Sequence, residues 1–78
     1  MTAEQLDLIS TDPQVMHGQA VVSGTRVPVS VVLDCLASGT STDLILNEYP
    51  TLTLEGVGAA AAYGALLARE ELSPLPRR

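Results

Sequence analysis

The sequence predicts one small, mainly α-helical domain that opens with a short β-rich piece and continues as three helices. Three observations carry that reading. The chain has 78 residues, room for a single domain. Before Pro28, β-branched residues sit in short runs bounded by Gly; after it, apolar residues recur at helical spacing. Pro28, Gly39, Pro50 and Pro74 fall where those stretches start or stop.

Leu6–Ser10 is a short apolar run and reads as an edge strand. Thr11-Asp12-Pro13 then reads as a turn, or as one helical turn with an N-cap and Pro at its first position. His17-Gly18 is a second break. Residues 19–28 read as a hairpin, with Ala20-Val21-Val22 facing Thr25-Arg26-Val27 across Ser23-Gly24. Pro28 suits the first position of a helix, and Val29, Val32, Leu33 and Leu36 form its apolar face. Gly39 closes it. Ser41 caps the next helix, with Asp43 in its first turn and Leu44, Ile45 and Tyr49 as its buried side; Pro50 ends it. Thr53 caps the last helix, whose inner face is Val57, Ala60, Ala61, Gly64, Leu67 and Ala68. The domain is therefore placed at residues 1–72, with a Pro-rich tail at 73–78. The last two helices and the short turn at Pro50 have the proportions of a helix-turn-helix, and equally of a helix pair in a structural bundle.

The composition restricts what such a domain can be. Leu, Ala and Val dominate the apolar fraction of 46%, and Phe and Trp are missing, so the core is light. Burying it at about 25 cal/mol per Å² only just offsets the ordering entropy of a chain this short. One Cys and one His exclude an internal disulfide and a structural zinc site. Oligomerisation or a partner remains as support, and a homodimer is expected. Cys35 reads as a small buried hydrophobe, Tyr49 and Tyr63 as core aromatics with their hydroxyls at the rim, and His17 as a turn residue. No nucleophile–base pair or metal-ligand cluster is legible, so no enzyme and no cofactor are expected. The net charge is −5, from nine acidic residues against four arginines and no lysine. That balance disfavours nucleic acid and favours a basic partner. No apolar run reaches membrane-spanning length, and MTAEQLDLIS lacks a basic leader, so a cytoplasmic protein is expected.

Gly18-Gln19-Ala20-Val21-Val22-Ser23-Gly24-Thr25-Arg26-Val27-Pro28-Val29 resembles the signature G-x-P-V-I-x-G-T-R-I-P-V. It is followed by Gly39, Ser41, Glu48-Tyr49-Pro50-Thr51-Leu52-Thr53 and Ala62-Tyr63. Over roughly residues 7–70 the chain is similar to the prokaryotic family called domain of unknown function 433, whose members are also described as VapB-like antitoxins. The resemblance implies a homeodomain-like or winged helix-turn-helix fold. It also implies an antitoxin of a type II toxin–antitoxin pair, with a PIN-like ribonuclease toxin as partner and operator DNA as a second ligand. Three departures stand out: Ala20 where the family tends to have Pro, Gly56 and Gly58 early in the last helix, and no basic residues where a recognition helix would carry them. Each helix glycine costs about 1 kcal/mol relative to Ala.

On this reading the candidate DNA contacts are Arg26, Thr51, Thr53, Glu55 and Gly56. The last four open the final helix, whose N–H groups and dipole favour phosphate. The Arg26 guanidinium can hold a phosphate or a carboxylate as a bidentate donor, or pair internally with Asp34, Asp12 or Glu48. Binding to operator DNA by the chain alone is expected to be weak. The candidate partner contacts are Leu72, Leu75, Arg77 and Arg78, a short strip with two cations that could face the acidic centre of a PIN-like nuclease. The alternative is a module that sequesters a basic protein without touching DNA. The Gly/Ala band from Gly58 to Ala68 is either a close-packing face for a second helix or plain exposed helix.

Overall fold

A computed structural model of the chain describes residues 1–14 and 18–69. The elements run α1 (Ala3–Asp7), β1 (Ile9–Thr11), β2 (Ala20–Val22), α2 (Val29–Ala37), α3 (Thr42–Glu48) and α4 (Leu54–Arg69). The fold is mainly helical, with one two-stranded antiparallel sheet.

The N-terminal helix departs from expectation. Leu6 and Asp7 belong to α1, not to a strand. A capping box starts α1: Thr2 Oγ1 accepts the Gln5 N–H at 3.1 Å, and Gln5 Oε1 accepts the Thr2 N–H at 3.0 Å. The strand begins only at Ile9. It pairs with β2 in the register Ile9↔Val22, Ser10↔Val21 and Thr11↔Ala20. The hairpin expected at 19–28 forms only in part: the Val22 N–H donates to Val27 O at 3.0 Å, but the ladder of β2 is made with β1. The hairpin's second arm makes one bridge, Val21↔Pro28, because the chain folds sharply at Ser23-Gly24 and Pro28 has no N–H to donate.

The three later helices stand where the sequence places them. Pro28 sits one position earlier than expected, as the N-cap of α2. The end of α2 is a Schellman motif: Gly39 at φ +80° donates to Leu36 O and Thr40 donates to Cys35 O, both at 3.0 Å. Ser41 caps α3 by accepting the Leu44 N–H at 3.3 Å.

The core joins Val22, Val27, Val29, Val32, Ile45, Leu52, Val57 and Ala60. Cys35, Tyr49 and Tyr63 pack half-buried around it. Two helical faces need correction. Leu44 is 56% exposed; Ile45 and Leu46 take the inner side of α3, since Leu44 precedes Ile45 by 100° of helical turn. On α4, Ala59 is fully buried, whereas Ala61, Leu67 and Ala68 are exposed. The inner stripe of α4 is therefore narrower and rotated toward Gly56, Ala59 and Ala60. Among the described residues no polar side chain is buried. No described helix is long and apolar enough to cross a membrane.

Candidate functional site

The Gly24-Thr25-Arg26 stretch is a tight turn built to display Arg26. Gly24 adopts φ +79°, a conformation that costs glycine nothing. Thr25 N donates to Val22 O at 3.0 Å, closing the turn. The Thr25 hydroxyl then makes two bonds at once, donating to Val22 O at 2.7 Å and accepting the Val27 N–H at 3.0 Å. Val27, buried, pins the far end. Between two anchored neighbours the Arg26 side chain is exposed.

Val22, the β2 residue before this turn, packs against the start of α4. A Cβ built on Gly56 would lie 3.0 Å from Val22 Cγ1 and 3.4 Å from Thr53 Oγ1. Glycine at this position lets β2 reach the helix axis, so the glycine is a packing device. Thr53 caps α4, accepting the Gly56 N–H at 3.1 Å through its hydroxyl. Thr51, Thr53 and Glu55 are exposed on this end; Gly56 is buried. The structure thus exposes Thr51, Thr53 and Glu55 at the start of α4 and turns Gly56 inward, while Arg26 is exposed on the turn after β2. The Gly56 amide is already engaged by Thr53 and is not offered to an outside anion. Leu52, buried, anchors the link between α3 and α4, and its N–H donates to Tyr49 O at 2.9 Å. Electrostatically these exposed groups are mixed: Arg26 is a cation, and Glu48 and Glu55 are anions.

A second surface was not read from the sequence. A cleft of about 220 Å³ opens between the start of β2, the first turns of α2 and the C-terminal half of α4. Gln19, Ala20, Val29, Ser30, Leu33, Tyr63, Gly64 and Leu67 line it, almost wholly with apolar atoms. At Gly64 the Leu33 side chain of α2 packs close to α4: a Cβ there would lie 2.9 Å from Leu33 Cδ1. Gly64 and Leu67, expected in the core, instead form a wall of this cleft. Leu72, Leu75, Arg77 and Arg78, and His17, lie outside the described residues. Among the described residues no group of three or more His, Cys, Asp or Glu could hold a metal ion.

Residues 9–64 match the family model described as "Protein of unknown function (DUF433)", a span that contains β1, β2, the Arg26 turn, α2, α3 and the first two-thirds of α4. "Uncharacterized protein y4eO" of Sinorhizobium fredii (strain NBRC 101917 / NGR234) is 35% identical over 57 residues, 73% of this chain. The chain spans only 26% of that relative's length. A crystal structure of a DUF433 member protein from Anabaena variabilis ATCC 29413 superposes with a TM-score of 0.73 at 27% identity, over 90% of this chain and 80% of that one.

Proposed function

The chain belongs to the DUF433 family, proteins of unknown function, and from that premise we propose that it is an antitoxin-like component of a type II toxin–antitoxin pair. In this role it neutralises a PIN-like ribonuclease toxin and binds operator DNA weakly by itself, through α3, the following turn and α4 used as a helix-turn-helix. The observation that carries the reading is the Thr53-capped start of α4, which follows α3 after a short link and gives a two-helix unit of helix-turn-helix proportions. Arg26 supplies an exposed cation on the turn after β2, and Val22 of β2 packs against Gly56 in the first turn of α4. The β1–β2 ribbon beside that unit corresponds to a wing on this reading. The net charge of −5 makes a basic protein the stronger partner and explains why DNA binding would need it.

The same charge, with Glu48 and Glu55 on the DNA-facing end, favours a second reading: a module that sequesters a basic protein and leaves DNA alone. Gel shifts with the chain's own upstream DNA, run at two salt concentrations with and without the co-purified partner, separate the two. The antitoxin reading expects a shift that strengthens with the partner and weakens steeply with salt. No shift under any of these conditions removes the DNA half.

A further inference from the structure

We propose that the cleft between β2, α2 and α4 is a docking site for a basic segment of a partner protein, which inserts one or two large apolar side chains. The walls are apolar side chains of Leu33, Tyr63 and Leu67, with Gly64 as the floor where α2 comes close. At about 220 Å³ the cleft falls below the ~300–1,000 Å³ typical of sites for cofactors and other drug-sized ligands. It is the size of a side chain or two. Leu67 stands at its edge 50% exposed, apolar surface that water does not favour.

The charge around the cleft selects the occupant. Asp12 follows Thr11, the ladder partner of the lining residue Ala20, and its carboxylate accepts the Gln14 N–H at 2.9 Å. Asp34 lies one helical turn beyond Ser30. Both carboxylates are exposed. An apolar hole in a chain of net charge −5, with the exposed carboxylate of Asp34 one residue after the lining Leu33, matches a segment in which Lys or Arg flanks a large apolar residue. Nucleic acid and a second copy of this chain, itself carrying −5, meet repulsion from the same charge.

This inference rests on the proposed partner role and names its surface. The test is selection of a random peptide library against the full chain, followed by affinity measurements on the winners. The expected winners carry Lys or Arg around one or two large apolar residues. Their affinity falls at least about tenfold on Ser30→Trp, which fills the cleft with a neutral group, and on Asp34→Lys, and it falls with salt. Leu67→Ser serves in place of Ser30→Trp if circular dichroism shows that variant unfolded. Acidic or uncharged winners, no enrichment over bare resin, or affinity untouched by a filled cleft overturn the proposal. So does a dimer that Ser30→Trp converts to monomer, because the occupant is then a second copy. The two ideas fail separately: a toxin neutralised equally well by the filled-cleft variant rejects the cleft and spares the antitoxin reading.

Discussion

Val22 and Gly56 meet where a side chain on the helix would begin: a Cβ on Gly56 would stand 3.0 Å from Val22 Cγ1. Through this contact the β2 strand is seated on the first turn of α4. Val22 has little room to yield. It is 3% exposed and β-branched, with a stiff χ1.

Two glycines of the same helix should therefore respond oppositely to alanine. Gly58 has open space around its missing Cβ, so Gly58→Ala should stabilise by up to about 1 kcal/mol through helix propensity. Gly56→Ala gains the same propensity but overpacks against Val22, and a net loss of about 1 kcal/mol is expected. Urea unfolding of both variants checks this, and a stabilised Gly56→Ala would contradict the seating of β2 on α4.

The Thr25 hydroxyl holds the Arg26 turn by two bonds, so Thr25→Val should cost about 1–2 kcal/mol by leaving the half-buried Val27 N–H without its acceptor. Thr25→Ser should cost much less. No loss in Thr25→Val would mean that the hydroxyl does not hold the turn.

For DNA, Arg26→Ala should lower the slope of log affinity against log salt by about one, the loss of one phosphate contact. Thr53→Ala should cost about 1 kcal/mol of stability through the lost cap while leaving that slope alone. A slope unchanged by Arg26→Ala, measured by fluorescence anisotropy, places the phosphate contact elsewhere.

A homodimer is expected through the outer side of α4. Leu54, Gly58, Ala61, Ala65 and Ala68 are all exposed and follow one another at alternating spacings of four and three, the period of a close helix–helix seam. Ala61→Glu should dissociate it. Light scattering at micromolar concentration that finds a single folded species of 8.2 kDa for the unaltered chain would rule the dimer out.

From residue 28 onward helix boundaries were legible from caps and breakers: Pro28, Gly39, Ser41 and Thr53 all stand at observed ends. The α1 helix was missed although Thr2 and Gln5 stand at capping-box spacing, because five residues with one large apolar side chain leave no periodicity to read. The strand partner was misassigned for a different reason. Local alternation favours Thr25–Val27, but the Thr25 hydroxyl folds that segment into a turn and the distant Ile9 segment takes the ladder. Within the candidate site, the exposure of Arg26, Thr51, Thr53 and Glu55 follows from their turn and cap chemistry. The inward turn of Gly56 does not, since it depends on Val22 arriving from another element. The cleft is invisible to sequence for the same reason: its lining comes from the start of β2, α2 and α4, which only the fold brings together.

The most direct measurement is the ribonuclease activity of the protein encoded beside this chain, assayed alone and with the chain added. The account predicts that the neighbour is a basic protein, that it degrades RNA and arrests growth when expressed alone, and that an equimolar amount of this chain suppresses both effects. A neighbour without ribonuclease activity, or one whose activity is untouched by this chain, would contradict the antitoxin reading.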